Sequence, residues 1–207
     1  MNTPSVTKAI RAMEQPVFTT REIALVSGRS LSAAGQSLKR LAKQEIVVRV
    51  KRGLWADVGD PRFSPFLLIG HLLPSHRAYL SFLSALHLHG MISQIPQVIT
   101  IASTVHSRTV RTPAGIFQIH QIAPSFFTGF DWYRGTGEFL IAEPEKALAD
   151  CLYISGRKGK KYGFFPEITF PKNFRKAKVR DWLGKISDRR LRKNALDKLE
   201  RLLRSGG

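Results

Sequence analysis

The side chains best placed for chemistry in this chain lie between residues 29 and 52, and their chemistry is recognition. Gln36 carries an amide that can pair with two atoms of an adenine edge, Ser32 and Ser37 add hydroxyls, and Ala33 adds a methyl. Arg29, Arg40, Lys43, Lys51 and Arg52 supply cations for phosphates, contacts that fix register without reading bases. Helical spacing ties these residues together. Over Leu31 to about Gln44, Leu31, Ala34, Leu38, Leu41 and Ala42 form an apolar stripe. The opposite face carries Ala33, Gln36, Ser37, Arg40 and Lys43, the side-chain types that suit base edges and phosphates in a major groove.

Local signals define the elements that must position this face. Thr19-Thr20-Arg21-Glu22 is a capping box: the Thr hydroxyl serves a backbone N–H three residues on and the Glu reaches back. Phe18 and Ile23 are spaced as the accompanying hydrophobic staple. The helix so begun runs to Ser27 and stops at Gly28, and Ser30 caps the next one. Ile46–Lys51 is a β-branched run, Arg52-Gly53 a turn, and Leu54–Ala56 the returning strand, so Lys51 and Arg52 fall at a hairpin tip. Helix, capped helix, glycine turn, capped helix and basic hairpin spell a winged helix-turn-helix that binds double-stranded DNA. The same architecture also serves as a protein-binding module.

A second group, Glu143, Glu145, Lys146 and Asp150, has the residue types of a catalytic cluster. A helix start accounts for its acids, which complement the macrodipole in a first turn. His87 and His89 are two apart and point to different helix faces, and His71, His76, His106 and His120 have no metal-ligand spacing. Cys151, the sole cysteine, sits in an apolar run and reads as a small buried hydrophobe, so no disulfide framework exists. Phosphate-binding P-loop, Gly-x-Ser-x-Gly and Gly-Ser plus Asp-x-Asp patterns are missing. No catalytic residue, metal site or cofactor is expected. A nuclease is disfavoured because no acidic pair has metal-ligand spacing.

The 207 residues carry a formal charge of +18, unevenly spread. Residues 1–60 contribute +5, residues 61–155 only +1, and residues 156–207 contribute +12. Polyanionic or acidic partners are therefore expected at two places. In the loop 155–165, Arg157, Lys158, Lys160 and Lys161 are expected anion contacts, while Phe164 and Phe165 read as core anchors. In the last helix, capped by Ser187, the stripe Leu191, Ala195, Leu199, Leu202 and Leu203 leaves Arg189, Arg190, Arg192 and Lys193 for DNA phosphates or an acidic partner. No run reaches the ~18 apolar residues a membrane span needs. Met1-Asn2-Thr3-Pro4 shows no signal-peptide core, so a cytoplasmic location is expected.

The fold class expected is α+β: the winged helix over 1–60, then a mixed domain over 61–207 whose neutral part ends at 155 and whose tail is basic and helical. Val58-Gly59-Asp60-Pro61 marks the boundary. Pro65 opens a short apolar helix to Leu73, and Ser75 caps a helix with Tyr79, Leu80, Phe82, Leu83 and Leu86 inward and Gly90 as its stop. Strands are expected at Gln97–Ala102, Ser107–Thr112, Gly115–Ile122 and Glu138–Ile141, followed by a helix with Pro144 at its first position.

Two segments of this domain carry a family resemblance. Tyr79-Leu80-Ser81-Phe82-Leu83-Ser84-Ala85-Leu86-His87-Leu88-His89-Gly90 resembles the Y-I-S-x-x-S-A-L-x-x-H-G segment of the AbiEi family of antitoxins. Ile141-Ala142-Glu143-Pro144-Glu145-Lys146-Ala147-Leu148-Ala149-Asp150 resembles the same family's I-A-x-P-E-K-A-L-x-D. Gln94-Ile95-Pro96, the Val98–Ala102 strand and Gly115-Ile116-Phe117 are similar in kind and order. The resemblance implies the regulator half of a type IV toxin–antitoxin pair, a class of phage-defence system. Its winged helix would bind operator DNA and repress its own operon, and its C-terminal domain would oppose a nucleotidyltransferase toxin encoded alongside. A regulator of the same kind without a toxin partner is the alternative.

Overall fold

In the computed structural model the described residues are 5–135, 139–157 and 166–205. They form a mixed α+β protein of two compact units. The first runs to Leu72 and includes Arg111–Gly115, and the second comprises Leu73–Val110 and the chain from Ile116 onward.

In the first unit, α1 (Val6–Met13) is capped by the Ser5 hydroxyl, which accepts the Lys8 N–H. Strand β1 (Val17–Thr19) leads directly into α2 (Thr20–Ser27). The capping box forms in full: the Glu22 N–H donates to Thr19 Oγ1 at 3.2 Å, and the Thr19 N–H donates to the Glu22 carboxylate at 2.6 Å. Gly28 ends α2 at φ +63°, a conformation that costs a glycine little. Ser30 then caps α3 (Leu31–Lys43) by accepting the Ala33 N–H. Strands β2 (Val48–Lys51) and β3 (Leu54–Ala56) turn at Gly53 and complete an antiparallel sheet in the order β1-β3-β2. A register shift falls between Arg49 and Lys51. Val6, Ile10, Phe18, Ile23, Ala34, Leu38, Val47 and Trp55 make one core, and Trp55 Nε1 donates to Thr20 Oγ1 at 2.9 Å.

Composition places the boundary at residue 60, whereas the compact unit extends through α4 (Leu68–Leu72). Leu68, Ile69 and Leu72 are buried, and Lys51 Nζ donates to the His71 carbonyl, a link from β2 to this helix.

In the second unit, Tyr79 and Leu80 belong to strand β4 (Ala78–Leu80), where the apolar spacing predicts a helix from Ser75. Helix α5 (Phe82–Leu88) begins only after Ser81. The physical reason is burial on both sides. A run apolar at every position reads equally as a buried strand, and β4 finds partners in β5 (Ile99–Ser103) and a later strand. Strands β6 (Arg108–Thr112), β7 (Gly115–Gln121), β8 (Phe130–Trp132) and β9 (Leu140–Ala142) complete a mixed sheet in the order β6-β7-β5-β4-β9-β8. Strand β4 runs antiparallel to β5 and parallel to β9.

Helix α6 (Pro144–Arg157) packs against α5, α7 (Lys176–Gly184) and α8 (Arg189–Ser205). Asp188 caps α8, its carboxylate accepting the Leu191 N–H at 2.9 Å; the sequence points to Ser187, one residue early. Leu191, Ala195 and Leu199 are buried, as their spacing predicts.

Candidate nucleic-acid interface

Helix α3 divides cleanly by face. Ala34 and Leu38 are buried in the core, and Leu41 and Ala42 pack against it. Ser32, Gln36, Lys39, Arg40 and Lys43 are exposed, and at 3.6 residues per turn they fall on one continuous face. Ala33 and Ser37 flank that face and are half-buried. Lys39 belongs to this face but escapes the sequence reading, although its spacing of three from Gln36 and four from Lys43 identifies it. Leu31 departs from expectation in the other direction. The stripe predicts it buried, yet it is 56% exposed, because the first residue of the helix lies beyond the edge of the core.

The remaining residues of the group surround α3. Arg29 occupies the turn between α2 and α3, half-buried, and its Nε is buried without a hydrogen-bond partner among the described residues. Lys51 and Arg52 are both exposed at the β2–β3 turn, with Lys51 bonded to His71 as described. The first unit thus offers a mixed face of hydroxyl, amide and methyl groups with cations around it.

The Glu143–Asp150 cluster is organised in another way. Lys146 and Asp150, one helical turn apart on α6, form an ion pair with no exposed side-chain surface. Asp150 also accepts from Ser81 Oγ at 2.7 Å and from the Tyr79 hydroxyl at 3.0 Å, and Lys146 Nζ donates to the same Tyr79 oxygen. The ammonium lies 3.9 Å from the centre of the Phe126 ring, with Tyr79 and Trp182 on other sides. Burial lowers the Lys146 pKa and raises that of Asp150, an effect on Asp150 opposed by Lys146 and by the two hydroxyls. The pairing escapes the sequence reading, though opposite charges four apart within an apolar run are its signal.

Glu145 accepts the Arg175 N–H at 2.9 Å and so supplies the cap that α7 lacks from its own side chains. Glu143 accepts from Trp182 Nε1 at 2.7 Å and from Lys178. All four side chains therefore join elements of the second unit. Cys151 is fully buried beside them, and burial pushes its thiol pKa well up, as suits a core position.

The basic C-terminal residues are partly engaged within the protein. Arg192 donates to the carbonyls of Gly184 and Ile186 and so closes the end of α7, which sets it apart from the outward cations expected there. Arg189, Arg190 and Lys193 are exposed on α8, and Arg157 lies against the Tyr153 ring. Lys158, Lys160 and Lys161, with Phe164 and Phe165, lie outside the described residues. Among the described residues no His, Cys, Asp and Glu grouping could hold a metal ion, and no helix is long and apolar enough to cross a membrane.

No curated protein matches the chain. Residues 7–56, from within α1 to the end of β3, match the family model described as transcriptional regulator, AbiEi antitoxin.

Proposed function

We propose that the first unit is a winged helix that sets α3 into the major groove of operator DNA, and that the chain is the antitoxin of a type IV pair. It represses its own operon and counteracts a cognate nucleotidyltransferase toxin. The observation that carries the reading is the exposed face of α3, lying within the segment that matches the AbiEi regulator family. Gln36 contacts a base, with Ser32, Ser37 and Ala33 beside it. Arg29, Arg40, Lys43, Lys51 and Arg52 hold phosphates, and Lys39 joins them. The unsatisfied Arg29 Nε supports this role, since a buried donor without a partner is costly until a ligand reorders it. Anion or partner contact is assigned to Arg157, Lys158, Lys160 and Lys161 of the loop and, separately, to Arg189, Arg190 and Lys193 of α8, where Arg192 adds whatever donors its two carbonyl bonds leave over. No catalytic or metal-binding role is assigned to any residue.

A DNA-binding regulator without a toxin partner is the second reading, favoured by the restriction of the family match to residues 7–56. One growth experiment separates the two. The product of the adjacent gene is expressed alone, with the full chain, and with a full chain carrying Gln36→Ala, Arg40→Ala and Lys43→Ala together. Toxicity relieved by both chains supports the antitoxin, with neutralisation residing outside the α3 face. A harmless neighbour, or toxicity that neither chain relieves, leaves only the regulator. Loss of operon repression by the triple variant tests the DNA-binding half.

A further inference from the structure

We infer that a cleft on the sheet of the second unit binds a neutral purine base or its nucleoside through the side-chain amides of Gln94, Gln97 and Gln118. The cleft encloses about 400 Å³, a volume typical of small-molecule sites. Leu83 of α5, with Ile92 and Val98 from the segment before β5, makes its apolar wall. Thr100 and Gln118 lie opposite each other in the parallel β5–β7 register and so share one face of the sheet. The start of α5 is fixed to that face. The Thr100 hydroxyl donates to the Ser81 carbonyl at 2.8 Å and accepts the Ser84 N–H at 3.2 Å. The glutamines are not engaged in this way. Each amide offers two N–H donors and an acceptor oxygen, and none of the three is hydrogen-bonded to another described residue. Gln118 is half-buried in the middle of β7, a position that strand packing would fill better with a β-branched or aromatic side chain. The lining also selects the ligand. Among the described residues no charged side chain lines the cleft, so an anion or an ammonium ion would lose water there without a counter-charge. Apolar walls suit the faces of a flat ring, and a glutamine amide pairs with a donor beside an acceptor, as on the N6–N7 edge of adenine.

The test is titration of the full chain with adenine, adenosine, guanosine and, for comparison, uridine. A purine is expected to bind one site per chain with Kd below about 1 mM, and uridine about tenfold more weakly. Adenine against adenosine shows whether the free base suffices. Gln118→Met and Gln97→Met keep the side-chain length and remove the amide, and each should weaken the purine about tenfold, the worth of one or two hydrogen bonds. Gln15→Met, at an exposed position of the first unit, should bind as the unaltered chain does. A thermal melt checks the fold of Gln118→Met, and the exposed Gln97 carries the test if that variant does not fold. Absence of purine binding overturns the inference, as does undiminished binding by the cleft variants that fold. Uridine bound as tightly as the purines overturns it, and so does equal weakening by Gln15→Met. No residue of the cleft belongs to α3 or the β2–β3 turn, so either result leaves the DNA-binding reading as it stands.

Discussion

The outer face of α3 and the Lys146–Asp150 cluster use similar side chains in opposite ways. Each combines cations with hydroxyl groups. On α3, Lys39, Arg40 and Lys43 stand in solvent beside Ser32 and Gln36, so their charge remains available to a partner. In the second unit, Lys146 and Asp150 have given up water and meet Tyr79, Ser81 and the Phe126 ring. A charge left exposed contributes little to folding but can neutralise a phosphate. A charge buried as a pair fixes which elements must meet, because neither partner tolerates loss of the other. Here the pair ties α6 to β4 through Tyr79 and to the start of α5 through Ser81, while Trp182 brings in α7. Residue type alone does not separate the two uses; solvent exposure does.

Substitutions can break or sharpen that contrast. The largest effect is expected in the buried pair. Lys146→Met or Asp150→Asn alone should cost about 3–5 kcal/mol in urea unfolding, whereas Lys146→Met with Asp150→Leu should recover most of the loss. Additive losses in the double variant would show that the pair is not the unit of stability. Next comes Gly129→Ala, near the same cluster. Its φ is +78° and an added Cβ would lie 2.6 Å from the Trp182 ring, so about 2–4 kcal/mol should be lost.

On the outer face of α3 the same measurement should barely respond. Gln36→Ala should leave stability within about 0.5 kcal/mol and relax discrimination at one base pair by roughly 1–3 kcal/mol. Lys51→Ala should instead weaken all duplexes alike and reduce the salt slope by about 1. Uniform loss in both variants would remove Gln36 from base readout. Gly35→Ala should stabilise the first unit by about 0.5–1 kcal/mol, since the added Cβ meets Thr20 Cγ2 at an ordinary 3.7 Å.

The smallest effect concerns pH. Hydrogen bonds from Arg62 hold the half-buried Asp60 carboxyl down at about 2, below its usual value of 3.8. A lowered carboxyl stabilises the folded state above the unfolded pKa and loses that contribution as pH falls from about 4 to about 2. Acid titration of stability in Asp60→Asn should lack this small component.

Much of the first unit was legible because its signals are short-range. Thr19 and Glu22, Gly28, and Ser30 each act within four residues, and the structure places the ends of α2 and α3 where they indicate. The second unit was legible where a local breaker intervened, as at Gly90 and Pro144. It was not legible at Tyr79-Leu80, whose strand pairing depends on Ala102 and Ile141, far along the chain. Asp150 looked like a helix-start acid for the same reason, since Ser81 and Tyr79 are about seventy residues away. Of the residues proposed to meet DNA, the periodicity of α3 located the outer face, while the contact of Lys51 with His71 did not follow from spacing, nor did the exposure of Leu31 on the other face.

The sequence by itself determined the helix ends of the first unit, the apolar and polar faces of α3 and α8, and the uneven distribution of charge. These depend on backbone capping and periodicity, which act over one or two turns. Tertiary structure decided which charges are buried, which strand β4 becomes, and which leucine of α3 remains in solvent. Those outcomes depend on what lies opposite each residue, and only the assembled sheet and helices supply the neighbours that remove water from one lysine and leave it around another.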